Sequence, residues 1–278
     1  MKRNWFITGI SRGLGRALAE EVLARGDTVI GTVRTGQPEI TQKSGSLHIL
    51  PLEISDASRV KATVEKAFAI ADPRLDVIVN NAGYGLLGAF EDATDAEVAS
   101  LFNVDVFGPL SVIRAALPHL RAQGSGHIVN ITSIAGRAPI AGSSIYAAAK
   151  FALEGFSLSL AQELAPLGIK ITAVAPGSFR TDFLSEHSIR KSTAISAGYE
   201  ESVGKVAKAF DSMAGRQLGD PARGAAAILN AVDADRPPLQ LLLGSDALHR
   251  ARNQLDEMIK EMDKWADVAQ STDFPEGE

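Results

Sequence analysis

The stretch NWFITGISRGLGRALAEEVLARG, beginning at Asn4, restricts this chain more than any other. NWFITG is a short apolar run of the kind that forms a buried strand. It meets Gly9-Ile10-Ser11-Arg12-Gly13-Leu14-Gly15, after which Leu14, Leu18 and Val22 recur at helical spacing up to Gly26. Strand, glycine-rich turn and helix in direct succession begin a β-α-β unit. Glycines let backbone N–H groups approach a pyrophosphate, and a helix N-terminus supplies favourable partial charge there. The glycines are spaced T-G-x-x-x-G-x-G, one residue longer than G-x-G-x-x-G. Dinucleotide binding is the functional expectation; a helix-entry turn with flexible glycines is the plain alternative.

The alternation continues. DTVIGTVR reads as a second strand and LHILPLEIS as a third, ending at Glu53-Ile54. DASRVKATVEKAFAI reads as a helix with Asp56 as its cap. LDVIVNNAG is nearly all apolar before Asn80, as suits a parallel strand covered on both faces. TDAEVASLFNVDVFGPLSVIRAALPHLRAQG reads as one long helix, or two joined near Gly108-Pro109. GHIVNITS, GIKITAVAPG and PPLQLLLGS follow as strands. Repeated β-α-β units with right-handed crossovers predict an α/β fold: a single doubly wound, Rossmann-type domain over residues 1–278, its parallel sheet of about seven strands flanked by helices. At 278 residues, with 45% hydrophobic and 22% charged side chains, the chain can bury the core this needs. Residues 178–219 are too long for an ordinary connection and read as a substrate-binding loop or lid, with ESVGKVAKAFDSM helical. A C-terminal helix over about 245–269 is expected to pack against the sheet, with contact to a partner as the alternative, followed by a frayed acidic tail, STDFPEGE.

Charge and composition remove several function classes. A net charge of −5 gives no electrostatic case for nucleic acid or a membrane surface as partner. No cysteine is present, which excludes disulfides, thiol nucleophiles and cysteine metal sites and fits a reducing cytoplasm. No apolar run approaches the length of a membrane span, and MKRNWFITG has no signal-peptide core, so a cytoplasmic location is expected. His48, His119, His127, His187 and His249 show no ligand spacing, and no metal site is expected.

The second strand ends Thr32-Val33-Arg34. An acid near that position would bind a ribose 2′-hydroxyl; a guanidinium suits a 2′-phosphate instead. With Arg12 in the glycine turn as the other jaw, the expected cofactor is NADP(H), with NAD(H) second.

The chemistry concentrates between Ser133 and Lys150, SIAGRAPIAGSSIYAAAK. Tyr146 and Lys150 are four apart ahead of a run with helical apolar spacing, so both side chains leave one helix face. A free phenol titrates near a pKa of about 10, and bringing it to neutrality takes roughly 4 kcal/mol. One cation about 4 Å away at an effective dielectric near 20 supplies that amount. The spacing suits a tyrosine acid–base catalyst activated by Lys150, with Ser133 holding a substrate oxygen beside it; a helix with a surface lysine and a packed tyrosine is the plain alternative. The glycine turn, Asn80–Gly83, Ser133 and Pro176–Gly177 all stand at carboxyl ends of predicted strands, where such sheets bind ligands.

The glycine turn, NNAG, Ser133, Tyr146 and Lys150, in that order and spacing, resemble the short-chain dehydrogenase/reductase family over about residues 3–245. GSDALHRARNQLDEM is similar to its bacterial branch of 17β-hydroxysteroid and retinol dehydrogenase-like members. The resemblance implies an NADP(H)-dependent oxidoreductase that interconverts a secondary alcohol and a ketone or aldehyde. Tyr146 would be the general acid/base and Ser133 the hydrogen-bonding partner of the substrate oxygen. Lys150 would bind the nicotinamide ribose and lower the tyrosine pKa. Gly9, Ser11, Arg12, Gly13, Leu14 and Gly15 would line the pyrophosphate and adenosine. Glu53 and Ile54 match the pair that touches adenine, where the family usually has aspartate. Asn81, Ala82 and Gly83 would wall the cofactor, and Pro176, Gly177, Phe179 and Thr181 would meet its nicotinamide end. One position departs: the fourth catalytic residue of the family, an asparagine in an N-x-x-G setting, is here Asp105 before Val106-Phe107-Gly108. Its backbone carbonyl would still hold a water leading to the lysine, but the carboxylate adds a charge that needs pairing when buried. The competing reading is a dinucleotide-binding regulatory protein without turnover. Family habit also implies a homodimer or homotetramer; Phe102, Val106, Phe107, Leu110, Ile113 and the Tyr146 helix offer a face for a symmetric dimer.

Overall fold

In the computed structural model, which describes residues 2–41, 44–184, 188–191 and 196–274, the glycine turn links β1 (Asn4–Ile7) to α1 (Gly13–Ala24). Gly26, at φ +85°, follows that helix in the left-handed conformation that closes helices. The chain continues through β2 (Thr28–Val33), β3 (Ser46–Pro51), α2 (Ala57–Ile70), β4 (Val77–Asn80) and β5 (Gly85–Leu87). Next come α3 (Asp95–Phe102), α4 (Gly108–Gln123), β6 (Gly126–Ile131), α5 (Ser144–Leu164) and β7 (Ile169–Pro176). Last are β8 (Ile189–Lys191), α6 (Lys205–Met213), α7 (Pro221–Asp233), β9 (Gln240–Leu243), α8 (Ser245–Lys264) and α9 (Ala266–Gln270). Asp56 caps α2 by accepting the N–H groups of Ser58 and Arg59 at 3.0 and 3.1 Å.

Seven strands form one parallel sheet in the order β3-β2-β1-β4-β6-β7-β9. The chain runs outward from β1 and then returns to its other side at β4, so the order reverses between those two strands. A crevice opens above such a reversal, at the carboxyl ends of the strands. Alternating side chains divide the core. Phe6, Ile30, Ile78 and Ile128 pack under α2, α4 and α5 on one face. Ile7, Val29, Val79 and Val129 pack under α1 and α7 on the other.

Four details differ from the sequence reading. The third strand stops at Pro51 rather than Glu53-Ile54: Leu52 still donates to Val33 O at 2.8 Å, and the chain then turns. A second, two-stranded parallel sheet pairs β5 with β8, tying the segment after NNAG to the 178–219 region. Three-residue strands carry too little pattern to be read. Within 178–219 the expected helix is α6; residues 185–187 and 192–195 of that region, like 275–278 of the tail, lie outside the described residues.

The third difference is the long helix. Residues 95–123 form one helix with a π turn at Asn103–Phe107, closed by Gly108 N–H on Asn103 O. Pro109 has no N–H to give the carbonyl four residues back, which is that of Asp105. This helix has the length and hydropathy of a membrane span, yet Leu101, Val112, Ile113, Ala116 and Leu120 are all buried in this fold. Val106 and Ile113 therefore belong to the chain's own core, and at the expected dimer face Phe107 is exposed, as is Phe151 on the Tyr146 helix.

The fourth is the C-terminal helix. It does not lie on the sheet. Ala247 and Ala251 pack against Ile134, Ala138 and Leu242, and beyond them α8 leaves the body. Both sheet faces are already covered by the other helices, so there is no apolar face for it to cover.

Candidate active site

Thr8 follows β1 and organises the crevice. Its buried hydroxyl accepts the N–H groups of Asn81 and Ala82, both at 3.0 Å. The Asn81 carboxamide, read as part of a cofactor wall, is turned onto the glycine turn, where Nδ2 donates to Thr8 O at 3.0 Å and Gly9 O at 2.9 Å. A Cβ on Gly15 would sit 2.2 Å from that nitrogen, and one on Gly9 would sit 2.9 Å from Ala82 Cα. The glycine spacing thus lets β4 press against the turn as well as letting the backbone face a ligand. Gly13 begins α1 at φ +60°, and no side chain caps the helix N-terminus.

From this turn a cleft of about 1120 Å³ runs across the strand ends to Tyr146. The structure brings every sequence-selected residue to its wall. Gly9, Ser11, Arg12, Gly13, Leu14, Gly15 and Arg34 line one end, with Glu53 and Ile54 beside them. Asn81, Ala82, Gly83 and Asp105 line the middle; Ser133, Tyr146, Lys150, Pro176, Gly177, Phe179 and Thr181 line the rest. The Glu53 carboxylate is turned onto Ser55, accepting from its hydroxyl at 2.9 Å. Tyr84, Phe183, Ser188, Arg190, Phe210 and Arg250 also line the cleft and were not selected from the sequence. Only Tyr84, next to NNAG, had a local signal; the others come from the 178–219 region and α8, which lack a motif. Arg190 lies over the Tyr84 ring at 4.6 Å. Among the described residues no group of three acidic or histidine side chains is placed to hold a metal ion.

Tyr146 and Lys150 emerge from one face of α5 as their spacing requires, and both are buried. Lys150 Nζ donates to Ile131 O at 3.3 Å, lies 3.0 Å from Asp105 Oδ2 and stands 5.6 Å from the centre of the Tyr146 ring. Asp105, 1% exposed, accepts the Tyr84 N–H at 3.1 Å through its other oxygen. Ser133 Oγ accepts the Ala135 N–H at 3.1 Å, and the serine hydrogen-bonds the phenol. Arg137 and Glu154 clamp this loop to α5 through paired 3.1 Å contacts, with Thr132 donating to the same carboxylate.

Lys150 acts on the phenol in the expected direction, but burial outweighs it. Burial pushes the Tyr146 pKa up, above its ordinary value; the Lys150 charge and the Ser133 hydrogen bond act downward, while the Asp105 charge adds to the rise. A lysine alone would favour phenolate, but here its charge is shared with a buried carboxylate. Burial opposes the Lys150 charge, yet Asp105 and Tyr146 outweigh it and its pKa is raised. Burial likewise raises Asp105, against the pull of Lys150 and the Tyr84 N–H. The chain by itself therefore favours the protonated form of Tyr146.

The short chain dehydrogenase family model matches residues 3–191. Oxidoreductase BOA17 of Botryotinia fuckeliana is 37% identical over 275 residues, covering 97% of this chain and 98% of that protein. A short-chain dehydrogenase from Streptomyces avermitilis superposes with a TM-score of 0.88 at 40% identity, covering 99% of this chain and 100% of that one. ElxO with NADP bound superposes at 0.74 with 27% identity, covering 90% of this chain and 100% of its own.

Proposed function

This chain belongs to the short-chain dehydrogenase family and is an NAD(P)-dependent oxidoreductase; from that premise we propose that it interconverts a secondary alcohol and a ketone or aldehyde with NADP(H), Tyr146 being the acid/base. The observation that carries the reading is the buried Ser133–Tyr146–Lys150 cluster at the end of a cleft that begins at an uncapped helix N-terminus. The donor set fits the cofactor. The N-terminus of α1, which carries no side-chain cap, suits a pyrophosphate, and Arg34 and Arg12 line the same end of the cleft, where they would meet a 2′-phosphate. Bound there, the nicotinamide would give or take the hydride. Tyr146 would hold the proton for the carbonyl oxygen, Ser133 would orient that oxygen, and Lys150 would meet the ribose with its remaining donor. The Asp105 carbonyl, which Pro109 deprives of its i+4 donor, would accept from a water on the route to Lys150. The 178–219 region would close over the substrate, with β8 as its anchor to β5.

NADPH oxidation measured across a panel of ketones and aldehydes tests the assignment. Turnover of at least one carbonyl class is expected; NADPH binding with no turnover anywhere in the panel would favour the regulatory reading.

Cofactor choice has its own test. Arg34→Asp replaces a cation with an anion opposite a 2′-phosphate, and a charge-assisted hydrogen bond is worth about 1.5–3 kcal/mol. NADPH affinity is expected to fall by roughly tenfold or more in calorimetry at low salt, with NADH affinity unchanged or improved. Equal wild-type affinity for the two cofactors would overturn the NADP(H) preference.

A further inference from the structure

The longest run of exposed apolar side chains among the described residues is on α8 and α9. Leu255, Met258, Ile259, Met262, Trp265 and Val268 are each between 50% and 61% exposed. Six half-exposed side chains of this size present roughly 600 Å² of apolar surface, the upper end of what a whole monomer shows in one patch. Their order is regular. Leu248, Ala251, Leu255, Met258, Met262 and Trp265 alternate by three and four residues, the seam of a helix that packs on another helix. Ala247 and Ala251 seat the first turns on the body, and the rest of the seam continues past it.

The chemistry of the helix narrows what covers it. Its flanks carry Asp256, Glu257, Glu261, Asp263 and Asp267 against Arg252, Lys260 and Lys264. Helices that lie on membrane surfaces are rich in lysine and arginine on that face, so an acidic one is poorly matched to lipid. The seam is instead complementary to itself. In an antiparallel pair centred beside Lys260, Leu255 falls opposite the partner's Trp265 and Met258 opposite the partner's Met262. The two-fold axis repeats both contacts; Glu257, paired with its own Lys260 at 2.8 Å, stays outside the seam, while Glu261, bonded by its own Trp265 Nε1 at 2.9 Å, flanks the axis. Two such faces together bury about 1,200 Å², the threshold for a specific interface, and a contact of this kind closes on itself as a dimer.

We propose that α8 pairs antiparallel with α8 of a second copy of this chain. The pairing would steady the cleft as well, because the base of α8 is part of its wall: Asp246 accepts the Ser178 N–H at 2.8 Å, and Arg250 bonds Ala138 O and lines the cleft.

Sedimentation velocity on the full chain tests this. The double variant Met258→Glu, Met262→Glu is expected to lose one level of assembly, halving the mass, with NADPH binding retained as the control for folding. A second measurement keeps wild-type packing: the protein has no cysteine, so single substitutions report contacts directly. Ile259→Cys lies next to the axis and should cross-link to itself with a short bismaleimide. Leu255→Cys should not, since antiparallel pairing separates its two copies by about 15 Å along the helix. An unchanged mass in the double variant, equal cross-linking at both positions, or a wild-type monomer at tens of micromolar would each overturn the proposal.

Discussion

Tyr146→Phe is expected to lower turnover by about a hundredfold or more, the ordinary scale of general acid catalysis, while NADPH affinity stays close to that of the wild type. The substitution removes one oxygen and keeps the ring in its place, packed with Leu86, Ile145 and Ala149 and 6.1 Å from Phe183. Ser133 loses one partner but still accepts the Ala135 N–H, so its loop is held. Single-turnover hydride transfer and calorimetry on the same preparation separate the two quantities. Near-normal turnover on an established substrate would overturn the role given to Tyr146. Lys150→Ala is a less clean probe: it leaves the Asp105 carboxylate buried without its cation, a loss of about 3–5 kcal/mol for pairs of this kind, so stability should fall together with activity.

Asp105→Asn should move the pH profiles of both directions of the reaction to lower pH. The carboxylate lies 3.0 Å from Lys150 Nζ, which is 5.6 Å from the phenol ring, so it is within about 9 Å of that ring. At an effective dielectric of about 20, a unit charge at that range is worth about 2 kcal/mol. The sign follows from the charges. Asp105 disfavours phenolate, and removing its charge favours phenolate. Alcohol oxidation, which needs the phenolate as base, is expected to rise on the order of tenfold near neutral pH, its rising limb moving to lower pH. Carbonyl reduction, which needs the phenol, should begin to fall at lower pH than in the wild type. Asparagine can still accept the Tyr84 N–H, and the backbone carbonyl is untouched, so a purely structural role for Asp105 would change stability and leave both pH profiles in place. Profiles that superpose on the wild type would rule out the electrostatic role.

What the sequence determined by itself is the part governed by local rules. Helical and strand periods set the order of the β-α-β units, and the packing of apolar strands on both faces made the sheet parallel. The Tyr146–Lys150 spacing put two side chains on one helix face regardless of the rest of the fold, and the glycine spacing marked a turn that must be approached closely. Tertiary structure decided whatever depends on a distant neighbour. That the Asn81 amide clasps Gly9, or that β5 finds β8, follows from segments meeting in space, and neither leaves a repeating pattern in the chain. The protonation of Tyr146 belongs to the same class: a nearby lysine is legible as i, i+4, but a carboxylate forty-one residues upstream joins the pair only when the π turn delivers Asp105 into the interior. Burial is the deciding quantity, because it weakens the screening that would otherwise make each charge a local matter. The fate of α8 was decided in the same way. Its apolar stripe is plain in the sequence, but only the folded chain, with both faces of its sheet already covered, shows that the stripe finds no place within the monomer.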